Sequence, residues 1–251
     1  PELYSGFMNL MAVYGYSIQI YCDFSGYSDM AIGLAALLGF KLPINFNSPY
    51  KATNIADFWR RWHISLSTWL RDYLYISLGG NRKGKILTYR NLFLTMLLGG
   101  LWHGAAIKFI IWGGLHGIGL AVHRIWKMYT NFSFGKTGVI IGSILTFHFV
   151  AFCWIYFRAA DVPTVQAILT NIFTNFDWGG IGSRISSYWK VFALITLGFG
   201  VHLLPNNLKN RAQHWFAETP MYVKVLLFVL VVFVSYQATS ADIQPFIYFQ
   251  F

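Results

Sequence analysis

From Asn91 to His123 the chain is built mostly of Leu, Ile, Phe, Trp, Gly and Ala, and Lys108 is its only Lys or Arg before Arg124. A run of this length and apolarity reads as membrane-buried. In hydrocarbon no water satisfies backbone N–H and C=O groups, so the run is expected to be helical. Within it, Leu101-Trp102-His103-Gly104 places an imidazole. A polar ring in that setting costs free energy unless it is paired or lines a wet cavity, which makes His103 a functional candidate by default.

The rest of the chain supports the same solvent. Only 11% of its residues are charged, against about a quarter in soluble domains, and the mean hydropathy is +0.48. Ten Trp and fifteen Tyr supply side chains suited to the two membrane interfaces. The net charge of +10 does not mark a nucleic-acid binder, because the basic residues punctuate apolar runs in the manner of the positive-inside rule. Cys22 and Cys153 lie in apolar surroundings without CxxC spacing and read as buried small hydrophobes. The chain opens on Pro1 with no signal-peptide pattern, and reads as the C-terminal part of a longer protein forming a single domain over residues 1–251.

The expected architecture is all-α, a polytopic transmembrane helical bundle with short or re-entrant helices and an interfacial amphipathic helix. Candidate spans are Leu3–Tyr21, Leu92–Val122, Gly138–Phe157, Tyr188–Leu204 and Val223–Tyr236. Ala31–Phe40 is too short to span alone and is expected to be a broken or re-entrant helix after the polar patch Asp23–Asp29. That patch is either an ordinary loop or a cavity lining. Between Lys51 and Arg90, Asn54 with Asp57 three residues on forms a helix-start signal. Trp59, Trp62, Leu66, Trp69 and Tyr73 then make an aromatic stripe, and Arg60, His63, Ser67 and Arg71 a polar one. The remaining polar connections are Tyr129–Lys136, Asp161–Arg184 and the basic loop Pro205–Arg211.

The basic turn Gly79–Lys85 and the pair Arg124/Lys127 should face the cytoplasm together. Too few residues lie between them for two upright spans, so a hairpin is expected, bent near Gly99-Gly100 or Gly113-Gly114. His103, ~18 Å of helix beyond Asn91, would sit at the middle of the bilayer or somewhat past it. His63 is the second candidate, on the polar stripe. His116 lies thirteen positions after His103, about 220° around a helix, and is not expected to share its face. His123, His202 and His214 are weaker, and His148 is held in reserve. No metal-ligand spacing and no GxSxG elbow occurs, so a metal site and a serine nucleophile are both unsupported, and no cofactor site is assigned. A neutral buried imidazole suits one task well, that of general base toward a hydroxyl.

The segments Phe58–Tyr75, Gly79-Gly80-Asn81-Arg82 and Leu98–Ala105 together resemble the membrane-bound O-acyltransferase family, and most closely its bacterial alginate O-acetyltransferase-like branch. Asp23–Asp29, Phe157-Arg158-Ala159 and Pro245–Phe249 resemble the same branch. The resemblance implies that His103 is the family's catalytic histidine and His63 its variable second position. It implies a multi-pass protein of the bacterial inner membrane, taking an acetyl or other short acyl group from a cytoplasmic donor such as acetyl-CoA. The acceptors would be hydroxyls of an extracytoplasmic polysaccharide, reached with a periplasmic or extracellular acyltransferase partner. Arg60, Arg61 or Arg71 are either attractors of a phosphate-bearing donor or positive-inside anchors. The competing reading is a non-catalytic conduit or scaffold of a glycan modification or export complex.

Overall fold

A computed structural model describes residues 1–130 and 135–239. The motif Pro245–Phe249 and the middle of the Tyr129–Lys136 connection lie outside the described residues. Among those described the architecture is all-helical: α1 (Gly6–Leu37), α2 (Ile55–Arg61), α3 (Ile64–Trp69), α4 (Lys85–Trp102), α5 (Ile107–Tyr129), α6 (Gly135–Arg158), α7 (Val162–Thr174), α8 (Ile181–Ser187), α9 (Trp189–Leu203), α10 (Asn206–Glu218) and α11 (Met221–Thr239). The chain divides after Phe199 into two compact units.

In the first unit, α1 is the clearest departure from expectation. It runs unbroken through Asp23–Asp29 and most of the apolar segment expected to be a separate element, a length of ~48 Å at 1.5 Å per residue. Nothing in the patch stops a helix. It holds no proline, Gly26 has open space around it, and Phe24 and Ser28, one turn apart, are the buried members while Asp23 and Asp29 face outward. The helix ends where the sequence supplies a residue able to take positive φ, Gly39 at 83°. Cys153 is buried as expected, but Cys22 falls on the exposed side of α1, and both are free thiols.

Asn54 caps α2 as its sequence promised, its side chain accepting from Asp57 N–H at 2.8 Å. The single amphipathic helix expected beyond it is instead interrupted: α2 stops at Arg61, His63 takes φ 44°, and α3 restarts at Ile64 before a π-helical turn over Leu70–Tyr75. The aromatic stripe is divided by that break. Trp59 and Trp62 are buried, whereas Trp69 and Tyr73 are exposed and stack on each other at 5.6 Å.

The hairpin of α4 and α5 is present, with its bend elsewhere than at the glycine pairs. The chain turns at His103–Ala106, and the glycines form the crossing. A Cβ added at Gly100 would fall on the carbonyl of Phe109 and 3.1 Å from Cα of Gly113, and one at Gly113 would meet the carbonyl of Met96. Backbone thus packs on backbone, as small residues allow in membrane helix pairs. The cleft lined by Lys85, Thr88, Arg124 and Lys127 confirms that the basic start of α4 and the basic end of α5 lie side by side.

Among the described residues α6 is the one helix that is by itself long and apolar enough to cross a membrane, matching the Gly138–Phe157 expectation. Its buried face is aromatic: Trp154 packs on Trp62 at 5.0 Å and on Trp112 at 6.0 Å. Tyr50 ties the core together, donating to Ser17 C=O at 2.5 Å and accepting from Trp154 Nε1 at 3.3 Å. In the second unit, Lys209 donates to the carbonyl of His202 at 2.9 Å, and Lys224 lies 5.9 Å from the ring of Phe216.

Candidate active site

The loop after α1 sets the position of His63. It runs from Phe40 to Ser48 without helix or strand and pairs with the α2–α3 break on both sides of the histidine. Asn47 N–H donates to Arg61 C=O at 2.9 Å, and Ile64 N–H donates to Asn45 C=O at 3.0 Å. Histidine is among the non-glycine residues that tolerate the left-handed region better than most, and these two bonds hold it there. The ring is half-buried and lies edge-on to Phe24 at 4.7 Å.

Its tautomer follows from its neighbours. Ser65 N–H, which can only donate, points at Asn45 Oδ1 at 3.2 Å, so that atom is the amide's oxygen. The nitrogen end of the same amide donates to Ser28 Oγ at 3.3 Å. His63 Nδ1 lies 3.2 Å from Asn45 Oδ1 and 3.3 Å from Ser65 Oγ; with the Ser65 hydroxyl donating to Asn45 Oδ1 at 3.0 Å, the hydrogen between ring and amide belongs on Nδ1. In the neutral ring this leaves Nε2 as the nitrogen with a lone pair.

His103 closes α4 at the tip of the hairpin. From Lys85 the helix rises ~27 Å to reach it, and its ring packs on Phe157 at 5.2 Å near the C-terminal end of α6. It therefore stands level with the end of α6 opposite Gly135. Trp102 and Trp112 are edge-on to it at 5.0 and 5.2 Å. The next residue must be glycine: Gly104 has φ 155°, and a Cβ there would lie 2.7 Å from the ring of Phe109.

The two expected residues lie within electrostatic range of each other. The structure also brings in one that the sequence did not suggest. His116 is completely buried and lies within electrostatic reach of His103, and Trp112 stands between them, 4.7 Å from the His116 ring. Trp59 Nε1–H donates to His116 Nδ1 at 3.2 Å, so the hydrogen of a neutral His116 resides on Nε2. That Nε2 and the indole N–H of Trp112 are buried with no protein partner among the described residues.

The other candidates stand apart. Arg61 pairs with Asp57 at 2.9 Å, Arg60 approaches the same carboxylate at 3.9 Å, and Arg71 pairs with Asp72 at 2.7 Å. His148 has both ring nitrogens occupied, Nδ1–H donating to Ile144 C=O at 2.8 Å and Nε2 accepting from Tyr14 at 2.9 Å. Asn45, Phe24 and Trp112 are the residues that sequence reasoning missed. For Phe24 and Ser28 the available signal was their four-residue spacing inside the polar patch.

The membrane-bound O-acyltransferase family model matches residues 2–162, a stretch that contains His63, His103 and His116. The chain is 38% identical to the probable alginate O-acetylase AlgI of Pseudomonas syringae pv. tomato, over 94% of this chain and 55% of that protein. It is 53% identical to the peptidoglycan O-acetyltransferase of Helicobacter pylori, over 64% of this chain and 31% of that one. Against the teichoic acid D-alanyltransferase of Bacillus subtilis the figures are 37% identity, 57% and 39%. The chain thus spans about half the length, or less, of these curated relatives.

Proposed function

The chain belongs to the membrane-bound O-acyltransferase family, and from that premise we propose that it carries the acyl-transferring residues of a multi-pass envelope enzyme. The three relatives are named for placing an acetyl or D-alanyl group on alginate, peptidoglycan or teichoic acid. The reading that fits all three is transfer of a short acyl group from a cytoplasmic thioester such as acetyl-CoA toward hydroxyls of an extracytoplasmic glycan. A periplasmic or extracellular acyltransferase partner completes delivery.

His103 takes the hydroxyl proton while the oxygen attacks the thioester carbonyl. The C–S bond then breaks, and the thiolate leaves with the proton returned from the imidazolium. Such a base is worth ~10²–10⁴ in rate. His63 assists with its free Nε2 lone pair. The observation that carries this reading is an imidazole at the tip of the α4–α5 hairpin, His103, enclosed by Trp112 and Phe157 at 5.2 Å each, within the stretch that the family model matches. The arginines of α2 and the π-helical turn keep company with aspartates and serve as anchors at the cytoplasmic face rather than as donor ligands.

The test is acyl transfer in vesicles containing the complete protein, with labelled acetyl-CoA supplied on the side of the basic turn. Label should reach glycan or partner with wild type and fall to background with His103→Ala. Equal transfer by both would leave the chain as a conduit or scaffold.

A further inference from the structure

Arg158 stands at the end of α6 with two clefts beside it. Tyr16, Ala12 and Arg158 line both. One cleft, of about 290 Å³, runs between α1, α6 and α7 past Val13, Ile155 and Ile168. The other, of about 400 Å³, runs between α1 and α9 past Met11, Phe192 and Ile195. The Arg158 guanidinium lies 5.7 Å from the centroid of the Tyr16 ring. Its N–H donors meet no acceptor among the described residues. Asp161, three residues on, does not serve, because its carboxylate is taken up by Thr164 N–H and hydroxyl at 2.9 and 2.6 Å.

The position of this arginine is unusual. Lys108, in the first turn of α5, donates to Ala159 C=O at 2.7 Å. This places Lys108 and Arg158 together at the end of the α5–α6 pair opposite Arg124 and Lys127. By the positive-inside rule that end is the one left poor in cations. A cation retained there without a protein partner calls for an anion, and the two apolar clefts on either side call for hydrocarbon. Arg is the side chain suited to forked recognition of phosphate.

We propose that Arg158 and its two flanking clefts bind an anionic phospholipid from the extracytoplasmic leaflet, the phosphate on the guanidinium and one acyl chain in each cleft. A soluble anion would leave the clefts unfilled. A neutral lipid would leave the guanidinium unpaired.

The experiment is competitive lipid binding to the complete protein by native mass spectrometry, with phosphatidylglycerol against phosphatidylcholine. Wild type is expected to retain phosphatidylglycerol about tenfold more strongly, the scale of one charge-assisted contact. Arg158→Gln should abolish that preference, and Arg158→Lys should keep part of it. Ala12→Phe, which adds bulk at a residue lining both clefts, should lower retention of both lipids, and thermal unfolding of each variant reports whether it is folded. Equal retention of the two lipids by wild type overturns the proposal. So does a preference that survives Arg158→Gln, or displacement of the lipid by inorganic phosphate alone. None of these readouts requires acyl transfer, so failure here and failure of the enzymatic reading are distinguishable.

Discussion

Asn45 Oδ1 lies 3.2 Å from Nδ1 of His63, and through that contact a loop residue sets which nitrogen of the imidazole carries the hydrogen. Asn45→Leu removes the acceptor and leaves Ser65 N–H without its partner. Acyl transfer is expected to fall about tenfold, the kinetic equivalent of one lost hydrogen bond. Asn45→Asp keeps an acceptor at the same place and should retain most of the rate. The comparison is made as initial rates in vesicles, and equal losses in both variants would assign Asn45 to folding alone.

His103→Gln preserves the volume and the polarity of the hairpin tip and removes the base. Transfer should drop by ~10²–10⁴ with the thermal unfolding midpoint close to wild type. A variant that unfolds early would instead show that the ring serves the packing of Trp112 and Phe157.

Gly113→Ala drives a methyl group into the carbonyl of Met96, with backbone on every side and no side chain able to give way. A stability loss of about 1–3 kcal/mol is expected, read as a lowered unfolding midpoint in detergent. Gly26→Ala is the matched control, since that helical position of α1 has nothing within 4 Å. It should stabilise slightly, because alanine loses less backbone entropy than glycine on entering a helix.

Asp161 caps α7, and the hydroxyl and N–H of Thr164 hold its carboxyl below the ordinary carboxylate range. A group whose pKa is depressed by folding stabilises above its unfolded value and loses that contribution as pH falls through the folded one. The unfolding midpoint of the wild type should therefore decline below about pH 4. Asp161→Asn, which still caps but does not titrate, should show a shallower acid decline. Identical acid limbs would remove Asp161 from the account.

Much of the molecule was legible in the chain. Asn54 and Asp57 mark a helix start by local chemistry alone, and α6 announces itself by length and apolarity. Where reading failed, the reason is that local rules were extended across a break. The angular argument that separated His116 from His103 assumes one continuous helix, whereas the chain turns at His103–Ala106 and returns alongside itself, bringing the two rings to either side of Trp112. The polar patch Asp23–Asp29 looked like an interruption because its residues are polar, yet hydroxyls and carboxylates can face outward from a helix without ending it. Asn45 carried no periodic signal, since its role depends on an irregular loop meeting a helix break in three dimensions.

The glycine crossing of α4 and α5 lies one helical turn from His103. A rod clamped at its waist so close to its tip has almost no lever arm. The imidazole is therefore a fixed station, and the moving parts of any reaction here are the reagents. Donor and acceptor have to be delivered to it, and selectivity among them becomes a matter of access routes rather than of how the histidine moves.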